Sequence, residues 1–257
     1  MIQGLIDTHA HLDQVDNLPA ALERAHQSSL ATVIAVATNY ASSIKTLQIA
    51  NEQSPIRIFP ALGVHPSDIE EESLDQIIEL IEENHKNIVA VGEIGLDYWY
   101  KPVKKDKSKR EDQKEFFLKQ LQTAKRLHLP VIIHSRGAWA DCLELCRQTE
   151  IEKAVFHWYS GPIDVLEEIL KRHYLISATP SLFYSSQHQE AVMHTPLESL
   201  LIETDSPVFY KDGEEGFSAE PKDVIKTLRL VSELKKEQES VVAERVVTNA
   251  KKFFNIA

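Results

Sequence analysis

Short apolar, β-branched runs alternate along this chain with longer stretches in which apolar residues recur every three to four positions. The runs fall at 5–9, 32–38, 56–64, 88–94, 131–135, 153–157, 174–179 and 200–204, eight in all. They are nearly continuous in apolar residues, as TVIAVAT at 32–38 shows. Such runs are buried on both faces, as in a parallel sheet covered by helices. Between them, 18–29, 41–52, 74–84, 112–127, 139–147, 163–172 and 187–194 read as amphipathic helices, and 221–237 and 240–254 follow the last run. Pro130 ends the fourth helix ahead of the fifth strand. Eight strand–helix units in 257 residues predict an α/β fold, a (β/α)8 TIM-like barrel, in preference to an open doubly wound sheet. With no interior linker or low-complexity segment, 1–257 reads as one domain.

Composition adds bounds. Apolar residues make up 43%, enough for a large core, and 28 basic against 39 acidic residues give a formal charge of −11. That balance argues against a non-specific nucleic-acid coat. It leaves a nuclease open, because metal ions and a local basic patch offset the field where a phosphate sits. Cys142 and Cys146 share one apolar helical stripe with Trp139 and Leu143, which reads as buried reduced thiols and fits a reducing cytosol. The first residues show no basic region leading into an apolar one, and no apolar run approaches the roughly 20 residues of a membrane span. A cytoplasmic protein without membrane attachment is expected.

One segment breaks the rhythm. Residues 98–110 carry three aromatics and six cations, among them Lys104, Lys105, Lys107 and Lys109. A charge run is usually a solvated loop. Here it follows the fourth strand, at the rim where barrel active sites form, and a basic, aromatic loop there suits holding phosphate and stacking a base.

The ends of the runs carry the candidate chemistry. His9 and His11 close the first, spaced so that both imidazoles share one face of a strand. His65 follows the third, Glu93 lies in the fourth, His134 and Arg136 end the fifth, His157 ends the sixth, and Asp205 follows the eighth. Five of the eleven histidines thus fall at strand ends, which a barrel brings to one mouth. The other six sit in or beside helical stretches and read as surface or packing residues. Four histidines and two carboxylates suit Zn²⁺, and Mn²⁺ or Mg²⁺ with water completing the shell. Six ligands exceed the needs of one tetrahedral zinc; two ions about 3.5–4 Å apart, bridged by a carboxylate, use them all.

The ordered set His9-Ala10-His11, GVHP at 63–66, GEIGLDY at 92–98, HSR at 134–136, HWYSG at 157–161 and ETDSP at 203–207 resembles the motifs of the TatD family, metal-dependent deoxyribonucleases among the amidohydrolase-like barrels. The resemblance covers nearly the whole chain. It implies that His9, His11 and Asp205 hold a first metal, His134 and His157 a second, and that Glu93 bridges them. It further implies that Asp205 doubles as general base towards the attacking water, that His65 and Arg136 face the substrate phosphate, and that DNA is cut as a 3′→5′ exonuclease or endonuclease. Two departures stand out: Trp158-Tyr159 where the family usually has Cys-Phe, and Ser218-Ala219 before Glu220-Pro221 where many members carry Arg-Asn. The same metal centre also suits another bond, such as the ester of an aminoacyl-tRNA or a small ester, amide or lactone, since fold does not set substrate. A third reading, a barrel kept as a binding subunit of a larger assembly, leaves six convergent polar groups without a purpose. The helical tail 221–254 carries no clear partner surface.

Overall fold

The computed structural model of the protein describes residues 4–69, 71–213 and 215–257. Each apolar run forms a strand: β1 (Leu5–Ala10), β2 (Leu30–Val36), β3 (Arg57–Leu62), β4 (Ala90–Gly95), β5 (Val131–His134), β6 (Ala154–Phe156), β7 (Leu175–Ala178) and β8 (Leu200–Ile202). Each pairs in parallel with the next, in chain order. The helices are α1 (Leu18–Gln27), α2 (Tyr40–Asn51), α3 (Glu71–Asn84), α4 (Lys101–Lys105), α5 (Lys109–Leu127), α6 (Trp139–Gln148), α7 (Ile163–Lys171), α8 (Ser186–His194), α9 (Val224–Lys235) and α10 (Glu239–Phe254). The result is the expected (β/α)8 barrel. No helix among the described residues is long and apolar enough to cross a membrane.

Alternation along the strands divides the apolar side chains between two cores. Ile6, Ile34, Val36, Ile132, Val155 and Leu201 pack together with Phe253 and Phe254 at the end of α10. The intervening positions, such as Val33, Ile133 and Phe156, pack with helix residues such as Ile77, Phe117 and Leu166. The first set fills the barrel and the second seals the helices onto it. Cys142 and Cys146 are fully buried free thiols, as their stripe implied.

The barrel closes at the β8–β1 seam by a different device from the other edges. Among the described residues that edge carries an isolated bridge, Ala10 to Ser206. The His11 N–H donates to the Ser206 carbonyl (2.8 Å) and the Asp205 N–H to the His9 carbonyl (2.9 Å). Asp7 joins the two sides. Its carboxylate accepts the Thr204 N–H (3.0 Å), the Thr204 hydroxyl (2.5 Å) and the His9 N–H (3.3 Å). Burial pushes the Asp7 carboxyl well above its ordinary range, even against the pull of those donors.

Two segments differ from expectation. Residues 98–110 are not a bare loop: they hold α4, and α5 begins at Lys109 rather than at 112. The Asp97 Oδ1 accepts the N–H groups of Trp99 and Tyr100 (3.0 and 2.9 Å), and Pro102 sits in the first turn of α4. Asp106 then takes the Ser108 N–H and hydroxyl (3.0 and 2.6 Å) just before α5. Local side-chain bonds of this kind fix the turns that lead into the two helices, and the lysine-rich composition hid them. An antiparallel pair, β9 (Phe209–Asp212) and β10 (Glu215–Ser218), also lies beyond β8. The Asp212-Gly213 dipeptide was its signal, with Gly213 at φ +63°.

Replacing Asp7 with Ala leaves buried N–H donors on both sides of the seam. We expect Asp7→Ala to lose about 2–5 kcal/mol of stability, at about 1–3 kcal/mol per stranded donor. Denaturant unfolding against the parent protein measures it; a loss under about 0.5 kcal/mol means the seam holds without Asp7.

Candidate metal centre

The strand C-termini meet in a cavity of about 740 Å³. Two breaks in the ladder shape its floor. The β1–β2 register shifts between Asp7 and Ala10, and the β4–β5 register shifts between Val91 and Ile94. Such irregularities re-aim a side chain, and they fall at His9 and Glu93. Gly95 permits the second: a Cβ there would lie 1.9 Å from the His134 carbonyl oxygen, and its φ is +144°.

Four donor atoms converge on a first point. His9 Nε2 lies 3.3 Å from His11 Nε2, 3.4 Å from Glu93 Oε2 and 3.6 Å from Asp205 Oδ1. His11 Nε2 is 3.5 Å from the same Glu93 oxygen and 3.3 Å from Asp205 Oδ1. A tetrahedral shell with bonds of about 2.0–2.1 Å has edges of about 3.3 Å, so this set is spaced as a coordination shell. Around the other Glu93 oxygen, His134 Nδ1 and His157 Nε2 both lie 2.7 Å away and 3.3 Å from each other. This second set is drawn in to hydrogen-bond distance. Glu93 therefore offers one carboxylate oxygen to each group.

The histidine tautomers suit ligation. His11 Nδ1 is 2.9 Å from the Val36 carbonyl, which accepts only, so the neutral ring carries its proton on Nδ1 and offers Nε2 to an ion. His157 Nδ1 faces Glu203 (3.2 Å) and His134 Nε2 faces Asp97 (3.3 Å), so a carboxylate stands behind each ring; the other nitrogen of each, 2.7 Å from Glu93, carries a proton that an ion would displace. His9 Nδ1 is buried with no partner among the described residues; its ring is held by stacking on His157, with centroids 4.2 Å apart. His65 differs. The Ser67 N–H donates to its Nδ1 (3.1 Å), so the proton sits on Nε2, 3.7 Å from Glu93 Oε1. His65 is thus an N–H donor beside the centre, and burial pushes its imidazole down to about 3, which keeps it neutral.

The fold concentrates negative charge here. Glu93, Asp97, Glu203 and Asp205 are each at most 6% exposed. Burial works against the Glu93 charge, but the imidazoles of His157, His65 and His9 hold its carboxyl well below the usual range. At Asp205 burial likewise opposes charge, and the His11 hydrogen bond with nearby imidazoles outweighs it. Buried charges demand partners or metal. Nitrogen and carboxylate donors at these spacings, with tautomers already set, fit divalent cations.

The other predicted residues are placed differently. Arg136 lines the cavity and binds Asp97 through Nε (3.1 and 3.0 Å) and Nη2 (2.6 Å). Lys104 and Lys105 lie on α4, Lys107 in the turn that follows and Lys109 at the start of α5, and none is among the residues lining the cavity. Asp97 and Glu203 were missed as site residues, although both lie inside the strand-end motifs: Asp97 four positions after Glu93, and Glu203 two before Asp205. Two backbone conformations could not be read at all. Trp158 and Asp205 have φ of +43° and +50°, the left-handed region that side chains rarely adopt. The Trp158 N–H is held by Ser177 and Glu203 (3.0 and 3.1 Å), and the Asp205 N–H by His9.

The sequence model described as TatD related DNase matches residues 6–255. The chain belongs to the TatD family. It is 31% identical to Deoxyribonuclease TATDN3 of Homo sapiens, over 98% of this chain and 94% of that one. It is 33% identical to the uncharacterized metal-dependent hydrolase YabD of Bacillus subtilis, over 98% and 99%. The crystal structure of YjjV, a TatD homologue from Escherichia coli K12, superposes with a TM-score of 0.89 at 30% identity over the full length of both chains. This TatD-family chain thus shares its whole barrel with these relatives.

Metal loading should depend on pH. Burial disfavours the charged form of His11, but the hydrogen bond and charge of Asp205 push its imidazole up to about 9. His157 lies well above its usual value and His134 is raised, both by carboxylates that outweigh burial. A raised pKa means that the metal-free imidazole holds its proton below about pH 9, and an ion must displace it. Affinity for Mn²⁺ therefore rises from pH 6 to pH 9, with proton release read by calorimetry in buffers of different ionisation enthalpy. A pH-independent affinity across that window contradicts this assignment.

Proposed function

We propose that the protein is a metal-dependent deoxyribonuclease using two divalent ions, Zn²⁺, Mg²⁺ or Mn²⁺, with residues 1–257 acting as one catalytic unit. The observation that carries the reading is the division of Glu93, one oxygen facing His9 and His11 and the other facing His134 and His157. A carboxylate so placed would hold two ions, one at each oxygen. The name of the human relative, Deoxyribonuclease TATDN3, supports DNA as the substrate.

In this reading His9, His11, Glu93 and Asp205 hold one ion, and Glu93, His134 and His157 the other. When bound, the ions supply a nucleophile at neutral pH and neutralise charge on the phosphate. The chain's own residues do the rest. Asp205, kept ionised, takes the proton from the attacking water at its carboxylate. His65 donates its Nε2–H to a phosphate oxygen. Arg136, locked by Asp97 through two of its nitrogens, turns its remaining donors to the phosphate. Lys104, Lys105, Lys107 and Lys109 meet the strand beyond the cavity.

Two experiments test this. On end-labelled DNA, chelation or Glu93→Gln lowers cleavage at least about a thousandfold, a typical cost of removing a metal-centre group, while circular dichroism stays that of the parent. Cleavage by Glu93→Gln at the parent rate ends the two-metal reading. Replacing the four lysines by Ala weakens DNA binding and flattens its dependence on salt. The log–log slope falls by up to about 0.7 for each single-strand phosphate that loses its cation. An unchanged slope assigns those lysines to solvent alone.

A further inference from the structure

All three tryptophans of the chain, Trp99, Trp139 and Trp158, line the metal cavity. Trp99 is 48% exposed there, yet it is firmly held. Its backbone N–H donates to Asp97 Oδ1 (3.0 Å). Its indole lies against Gly137, where a Cβ would stand 2.5 Å from the ring nitrogen. Trp139 meets it edge-on, with centroids 5.6 Å apart at 89°. The Lys104 Nζ sits 5.9 Å from its centroid. Asp97 also grips Arg136 and faces the His134 ring. The backbone of Trp99 is therefore tied, through one carboxylate, to His134 and Arg136, and its ring is held by Gly137 and Trp139.

Leaving half an indole in water is unfavourable, and the fold gains nothing from the open half. A rigid aromatic surface beside a recessed polar centre suits a flat, apolar-faced group attached to an anion. We infer that Trp99 is the platform on which the nucleobase next to the scissile phosphodiester stacks. This rests on the deoxyribonuclease reading and deepens it. Every base offers a π-face, so the platform accepts any base but requires one that has left its neighbours. Lys104, beside the same ring, supplies a cation where the next phosphate along the strand passes. Trp139 and Gly137 act by positioning Trp99.

The test compares two short single strands on the metal-loaded protein. They are identical except that one lacks the base beside the target linkage, and that linkage is a non-hydrolysable phosphonate so that binding alone is read. The parent binds the base-bearing strand more tightly than the abasic one. Trp99→Ala weakens the base-bearing strand about ten- to a hundredfold, the usual range for removing a base–aromatic stack, and leaves the abasic strand unchanged. Trp99→Phe restores most of the difference. Metal content and melting temperature of each variant check that the fold is intact. Equal binding of both strands by the parent, equal weakening of both by Trp99→Ala, or binding of neither strand overturns the platform. The two readings stay separable: a parent protein that prefers the base-bearing strand yet leaves ordinary DNA uncut keeps the platform and loses the nuclease.

Discussion

Four carboxylates, Glu93, Asp97, Glu203 and Asp205, are buried at the C-terminal mouth of the barrel, and nearly every other feature of that mouth serves to keep them there. A buried carboxylate without partners costs several kcal/mol. Each of these has partners of a particular kind. Asp97 receives Arg136 and two backbone N–H groups. Glu203 receives the His157 ring and the Trp158 N–H. Glu93 and Asp205 face only imidazoles, which themselves are held by a carbonyl, a carboxylate or a stacked ring. The first two are satisfied by the protein and orient its histidines. The last two face rings that other groups hold from behind, and that division separates the supporting carboxylates from the candidate ligands.

The same constraint accounts for the seam. His9, His11 and Asp205 stand on opposite sides of the β8–β1 junction, so the first donor set exists only if the barrel closes in register. The backbone bonds of His11 and Asp205 across that junction are part of the closure itself. Asp7 and Thr204 fix the register two residues before the first ligand and one before the last. Fold stability and ligand geometry are therefore set by one group of hydrogen bonds. The left-handed conformation of Asp205 persists because both of its neighbours, Thr204 and Ser206, are bonded across the seam.

Much of this was legible in the sequence because it follows from period and position. Eight buried strands announce themselves by apolar runs, and polar residues stand out at the ends of such runs. The convergence of His9, His11, Glu93, His134, His157 and Asp205 needed only the barrel. The supporting shell was harder. Asp97 and Glu203 sit inside motifs, but nothing in a one-dimensional pattern says which carboxylate faces an ion and which faces the back of a histidine. The register breaks at His9 and Glu93 leave no compositional mark. The 98–110 segment misled for a physical reason: its helices follow turns closed by the Asp97 and Asp106 side chains, and a high density of lysine conceals such short-range bonds. The β9–β10 pair was signalled by Asp212-Gly213 alone, without flanking alternation.

Charge balance bears on how many ions the centre takes. The four carboxylates and the one guanidinium paired with them leave three negative charges at the ligand set. One divalent ion leaves one, and the site still repels a phosphodiester. Two turn it to a single positive charge, which a phosphodiester neutralises. Arg136 cannot perform this task alone, because its charge is already matched by Asp97; what it keeps is donor geometry. Lys104, Lys105, Lys107 and Lys109 stand outside the cavity, so in the proposed reading they would meet phosphates beyond the reacting one. In the proposed reading, attraction at the reacting phosphate would depend on bound metal, and the tryptophan-lined wall would select the neighbouring group. The chain departs from its family's usual motif in that wall, at Trp158, and not in any ligand. Substrate choice in this barrel is thus free to vary on surfaces that the metal centre does not constrain.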